Sequence, residues 1–381
     1  MDFVKITQPG NRPDRILYGC VPYEYEIAKC QLTNAEWCKF LNAIEEKCER
    51  CEKCEGCEKL GLWHKDMMTG VLGGINRTIE QSNNRTIFSS KPGWEKKPVV
   101  YVDYLSLCRY CNWLTSGDIE RGSYDLSGEV PKRVVGAKYF LPNDAEWYKA
   151  AYYDCSIVRF FGLFDWILGK GGYWNYPTRS NEIPTQDQVN FERGDCLSPL
   201  ALTLQSNNQT IKQSNNSYYY LTDVDAYADH PSSWGVLQMG GNAWEMLEDV
   251  AMLKGCKVEK LKGCGYEDRW LNTYRGGSFG YTETGLSKFN CDTAPYNGRC
   301  YVFGARIARC EGGWCRRRMS IRHAFVRSVY LWLRFVRRSV ASFPVAILLR
   351  SFSGRRKGSE KLMGENGVVS WLRQRQRRSL Q

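Results

Sequence analysis

Three stretches of the 381-residue chain carry residue types that can do chemistry. In residues 239–249, MGGNAWEMLED, two glycines precede Asn242, Trp244 and Glu245, with Glu248 and Asp249 close behind. Glycine tolerates backbone shapes that other residues resist, and tryptophan is large enough to anchor a core. A tight loop with an acid beside a buried ring suits a hard cation held by backbone carbonyls and a carboxylate. The same residues also read as a glycine turn leading into an ordinary amphipathic segment. In residues 48–57, Cys48, Cys51, Cys54 and Cys57 recur at every third position. Zinc or an iron–sulfur cluster needs thiolates converging on one point. A three-residue step falls about 60° short of a helical turn, so a shared site would need a loop. His64 lies close enough to be an extra ligand; the run also reads as a Cys-Glu-x repeat without a metal, and His64 as a surface histidine. Cys108 and Cys111 form a C-x-x-C pair. A redox pair sits at a helix N-terminus beside a strand. Here the pattern puts both mid-helix near Trp113, as two buried thiols.

The elements that must position these groups are short. Val21, Tyr23, Tyr25 and Ile27 alternate with polar residues, which predicts a strand within 16–30 with one buried face. Thr33 and Glu36 have capping-box spacing, and Trp37, Phe40, Leu41 and Ile44 follow at helical spacing, which predicts a helix over about 34–46. Residues 98–102 read as a strand, followed by a helix capped by Asp103 and carrying Leu105, Cys108, Cys111, Trp113 and Leu114. Residues 139–142 read as a strand end. Asn143 and Glu146 repeat the capping box before Trp147, Ala150 and Ala151. Residues 70–97 read as a long loop and 155–220 show no sustained period. The tetrapeptide QSNN at 81–84, 205–208 and 213–216 marks polar insertions, and the acceptor-type Asn84 and Asn208 lie in them. More strand-like pieces gather toward 270–309.

Bulk composition supports a loop-rich globule held by large rings, with 43% hydrophobic residues, 35 glycines and 13 tryptophans. The net charge of +12 belongs to the C-terminal end. From Cys310 onward stand 17 of the 53 Lys/Arg and 3 of the 41 Asp/Glu, which leaves 36 against 38 in the body. Seventeen cysteines usually point to an oxidising compartment. The N-terminus shows no basic patch followed by an apolar run, so no signal peptide is expected. The chain is then cytoplasmic with free thiols, unless its start is missing. No apolar run reaches membrane-spanning length. In the tail, Phe325, Val329, Leu333, Val336 and Val340 share one helical face and Arg327, Arg334 and Arg338 another, over about 320–343 up to Pro344. That pattern suits an anionic membrane surface or nucleic acid. The competing readings are a basic extension with no partner and translation past a frame change.

The segments YEIAKCQLTNAEWCKFLNAI, PVVYVDYLSLCRYCNWL, YFLPNDAEWYKAAYYD, MGGNAWEMLED, YRGGSFGY and FGARIAR stand in the order and rough spacing of one known family. Over about residues 16–309 the chain resembles the formylglycine-generating enzyme (sulfatase-modifying factor) domain. The resemblance implies an α+β, C-type-lectin-like fold with little regular secondary structure, spanning 1–309, with 310–381 as a basic tail. It also implies structural calcium at two places. At one, Gly241 and Ala243 would give carbonyls and Glu245 a carboxylate, with Gln238 standing where the family often has Asn. At the other, Asn190 and Asp225 would give side chains, and Phe191 and Tyr227 carbonyls.

The catalytic part departs from the family. Active members carry two cysteines shortly after RGGS, which bind copper(I) and the substrate thiol; soft thiolates are what copper(I) needs. The aligned positions here hold Tyr281 and Leu286, so copper is not expected. Related sulfoxide-forming iron enzymes use three histidines from an added helical domain, whereas His64, His230 and His323 are scattered. Gly304-Ala305-Arg306 replaces the usual Gly-Phe-Arg. Losing a buried ring typically costs ~3–5 kcal/mol, which predicts a loosened last strand. The expected function is a non-catalytic binding or display module for a protein or carbohydrate ligand. Its contacts would come from Ser278, Tyr281, Lys288, Phe289, Tyr296 and Arg299, since such surfaces favour aromatics and Arg. The alternative is a copper-dependent oxidase of the formylglycine-generating type using other cysteines, such as Cys291 with Cys300.

Overall fold

The computed structural model describes residues 1–14, 18–49, 56–81, 85–155, 172–192, 221–260 and 263–311. The expectations for Cys51, Cys54, Asn84, Asn208 and the tail helix lie outside the described residues. In chain order the elements are β1 (Phe3–Ile6), β2 (Tyr25–Ala28), α1 (Asn34–Glu49), α2 (Gly56–Lys59), α3 (Asp66–Thr69), β3 (Ile75–Glu80) and β4 (Arg85–Ser90). They continue as α4 (Tyr104–Ser116), β5 (Tyr124–Asp125), β6 (Lys132–Arg133), β7 (Tyr139–Phe140), α5 (Asp144–Tyr152), β8 (Trp244–Lys260) and β9 (Gly263–Arg275). The last are α6 (Glu283–Leu286), β10 (Asp292–Pro295), β11 (Phe303–Ala305) and β12 (Ala308–Arg309).

Each of the three longer helices begins where a side chain caps it. Glu36 N donates to Thr33 Oγ1 at 3.2 Å while Glu36 Oε2 accepts from Thr33 N at 3.1 Å. Ser106 N donates to Asp103 Oδ1 at 2.8 Å, and Glu146 N to Asn143 Oδ1 at 2.9 Å with the reciprocal bond at 2.7 Å. A cap of this kind contributes about 1 kcal/mol. Trp37, Phe40, Leu41 and Ile44 are buried as their spacing predicts, and so are Trp147, Ala150 and Ala151. The face of α4 differs from expectation. Tyr104, Leu107, Cys108, Tyr110 and Cys111 are buried, whereas Leu105, Trp113 and Leu114 are only partly so. The Tyr110 ring decides this rotation: it packs 5.1 Å from Phe40 and 5.3 Å from Trp37 on α1.

One four-stranded sheet has the order β1-β2-β12-β7, so the end of the domain is paired with its beginning. The second has the order β10-β9-β8-β11, with β11 parallel to the start of β8. Residues 70–102 differ from expectation. Residues 98–102 form an isolated bridge, Pro98 with Thr33, but no strand: Tyr101 takes φ +63° and breaks the pleat, and Val99, Val100 and Val102 are buried. The loop expected over 70–97 contains the hairpin of β3 and β4. It is clamped to α1 by Asn42, which donates to Phe88 O and accepts from Phe88 N, both at 2.8 Å. Ala305, where the family has a ring, stands in paired backbone. Phe303–Ala305 pairs with Trp244–Met246, Leu32 N donates to Ala305 O at 2.9 Å, and Arg306 anchors the next residue in the interior.

Candidate functional site

Two glycine-containing loops stand back to back. Gly241 N donates to Gly276 O at 2.7 Å, and Phe279 N donates to Asn242 O at 3.0 Å, which joins the 239–243 loop to the RGGS turn. The approach requires glycine. Gly241 has φ +75°, and a Cβ there would lie 2.2 Å from the Asn190 carbonyl oxygen. Asn242, fully buried at φ +64°, is the hub. Its amide nitrogen donates to Gln31 Oε1 at 3.0 Å and Thr222 O at 3.2 Å. Its side-chain oxygen accepts from Thr222 N at 2.9 Å and Asn190 Nδ2 at 3.3 Å. Asparagine tolerates left-handed backbone because its amide can bond locally. That signal was present in GGN, but the partners 20 to 211 residues away are not readable from it.

The two sets of residues assigned to calcium by resemblance are thus linked through Asn190 and Asn242, but their acids differ. The Glu245 carboxylate receives Arg306 Nη2 at 2.7 Å and Nε at 2.9 Å, and Trp147 Nε1 at 2.6 Å. The Arg306 and Glu245 side chains are 0% and 1% exposed. The same guanidinium collects the carbonyls of Ala28, Lys29, Leu237 and Gln238 at 2.8–3.2 Å. The Ala243 carbonyl accepts from Gln31 at 2.8 Å, and Gln238 donates to Asp223 O and Ala226 O. A guanidinium therefore does here what a cation would do, and this set does not fit calcium at Glu245. Asp225 is different. It pairs with Lys96 at 2.7 Å, and both side chains are about half exposed or more. The Lys96 hydrogen bond holds the Asp225 carboxyl below its usual range. Asn190 and Phe191 are buried, and Tyr227 takes φ +60°.

Beside the RGGS turn lies a groove of about 460 Å³ lined by Tyr274, Tyr281, Asp292, Cys300, Tyr301 and Phe303, among others. Tyr281 packs edge-on against Trp244 with centroids 5.0 Å apart. Burial, then the Asp292 carboxylate, holds its phenol above the usual value. Of the residues expected to make contacts, Tyr281 and Phe289 are exposed, at 41% and 65%. The others are engaged in the fold. Ser278 is buried in the turn, and Lys288 is buried against Asp14 at 3.0 Å. Arg299 pairs with the helix-capping Asp103, and Tyr296 holds α4 through Tyr104 N at 3.1 Å. Nothing in the sequence marks Tyr274 or Phe303, because an aromatic residue on a strand carries no sign of a groove.

The cysteines divide by surroundings. Cys108 and Cys111 are fully buried and burial pushes both thiols up. Cys57 is buried with its thiol directed to Leu41 O at 3.3 Å. Cys300 lines the groove, whereas Cys291 is exposed near Arg275. Among the described residues no group of three or more His, Cys, Asp or Glu could hold a metal. Among them, too, no helix is long and apolar enough to cross a membrane.

Paired α+β sheets, side-chain-capped helices and a groove beside a glycine turn define the class: a mixed domain whose site is built from loops. The sulfatase-modifying factor enzyme 1-like domain matches residues 20–309, and the chain belongs to that family. It is similar to the solved structure of CarF, with 17% identity over 82% of this chain and 98% of that one, at a TM-score of 0.44. It is also similar to Treponema denticola variable protein 1, with 14% identity, 81% and 94% coverage and a TM-score of 0.41. PvdO from Pseudomonas aeruginosa shows 15% identity, 81% and 92% coverage and a TM-score of 0.37. No curated protein matches.

Proposed function

We propose that the chain is a binding module on the sulfatase-modifying factor scaffold, with the groove beside the RGGS turn as its site. One observation carries this reading. The two positions aligned with the copper- and substrate-binding cysteines of active members hold Tyr281, a half-exposed phenol, and Leu286, which is fully buried. Neither offers a thiolate for copper(I) or for a mixed disulfide. Four of the ten groove-lining residues are instead aromatic, the residue type that often dominates binding energy. The rival reading, an oxidase of the formylglycine-generating type, would have to use Cys300 in the groove together with another cysteine.

The full-length protein, given copper(I), air and a cysteine-bearing peptide, is expected to yield no aldehyde by mass spectrometry or hydrazide labelling. Formylglycine in the product, or tight one-to-one copper(I) binding abolished by Cys291→Ser or Cys300→Ser, would reverse the conclusion.

A further inference from the structure

We propose that the groove beside the RGGS turn binds a donor-bearing cation, a primary ammonium or guanidinium group, between the Tyr274 hydroxyl and the Asp292 carboxylate. This rests on reading the groove as a binding site and adds the chemistry of its ligand.

Tyr274 is 1% exposed, and its ring stacks on Phe303 with centroids 4.3 Å apart. Its hydroxyl has no hydrogen-bond partner in the protein. A buried hydroxyl left unpaired is costly, so a ligand that bonds to it recovers that cost. Asp292 is the charged residue in the lining. It accepts from Thr293 N at 2.7 Å and also bonds the Tyr281 phenol, and a carboxylate's four lone-pair sites leave acceptor capacity beyond these two. Covering that carboxylate with a neutral or anionic ligand would desolvate a charge without compensation. The remaining walls include the rings of Tyr281, Tyr301 and Phe303, and ring faces attract cations.

These features select jointly. The carboxylate sets the sign, the rings favour a cation with an apolar stem, and Tyr274 asks for a hydrogen-bonding group. A quaternary ammonium meets the first two and fails the third. A sugar can stack on an exposed ring but leaves Asp292 uncompensated. A volume of about 460 Å³ accommodates such a head group with its stem.

The test is calorimetric titration of the full-length protein with agmatine, N-acetylarginine N-methylamide, its neutral citrulline isostere and choline. The guanidinium probes are expected to bind at least about tenfold tighter than the citrulline isostere and choline, a difference of about 1.4 kcal/mol. Asp292→Asn should erase that preference. Tyr274→Phe should weaken guanidinium binding while leaving the free protein as stable or more so, because it removes an unpaired buried hydroxyl; a purely structural role would not produce that combination. Tighter binding of the blocked arginine than of agmatine would mark a polypeptide side chain as the source, and the reverse a free amine. Equal binding of the citrulline isostere, no saturable guanidinium binding, or a Tyr274→Phe variant less stable than wild type would overturn the proposal. Saturable binding of a neutral probe alone would overturn the cation and leave the binding module standing. Formylglycine production would instead overturn the binding-module reading.

Discussion

Arg306 Nη2 lies 2.7 Å from Glu245 Oε1, and neither side chain is more than 1% exposed. The pair fastens the start of β8 to the residue after β11, and through four carbonyls it also holds the segments at 28–29 and 237–238. No water can replace either partner at that depth, so each charge depends on the other.

Removing one partner should therefore cost far more than a surface pair would. Arg306→Met and Glu245→Gln are each expected to lower unfolding free energy by ~3–5 kcal/mol. Because the second substitution removes a charge already orphaned by the first, the double variant should lose less than the sum. Urea denaturation of the three variants measures this. A single variant within about 1 kcal/mol of wild type would show that the pair is not a structural clamp.

Asn242 offers a test that separates backbone shape from side-chain bonding. Asn242→Gly keeps the left-handed conformation without strain but deletes four hydrogen bonds, at roughly 1 kcal/mol each. Asn242→Ala loses the bonds and adds strain at φ +64°. Glycine should thus be destabilised by about 2–4 kcal/mol and alanine by more. Hydrogen exchange should show the 222–227 and 189–191 segments opening together in both.

Lys149 predicts a pH dependence. It is fully buried with its ammonium donating to Gln8 O at 2.9 Å, and burial pushes its pKa down from 10.5 to about 8. Below about 8 the folded and unfolded chains both hold the proton, and the burial penalty is present in full. Between about 8 and 10.5 the unfolded chain keeps a proton that the folded chain has lost, so this group's contribution rises with pH. The melting-temperature advantage of Lys149→Met over wild type should be largest at neutral pH and shrink through that window. An advantage independent of pH would refute a protonated buried lysine.

We propose Asp225, which only an exposed lysine engages, as the carboxylate that calcium uses in place of Glu245. Adding calcium is expected to raise the melting temperature of wild type, and chelation to reverse the rise. Asp225→Asn should remove the response. Lys96→Met should preserve or strengthen it, since the competing ammonium is gone. A calcium response that survives Asp225→Asn would return the ion to the Glu245 set.

Where partners are near in the chain, residue order alone was enough. Thr33 with Glu36, and Asn143 with Glu146, are three positions apart, so each capping box was legible together with the buried face behind it. The six ordered motifs likewise fixed the family and its α+β fold. Distant contacts were not legible. Lys288 meets Asp14, Arg299 meets Asp103, and Arg306 reaches Glu245 from 61 residues away, pairings that spacing does not show. Tyr101 and Tyr110 show the same division within single elements, where one backbone angle removed a strand and one ring turned a helix. Local hydrogen bonds are written in spacing; which charges neutralise one another, and which hydroxyl is left waiting in a groove, depends on the loops that packing brings together.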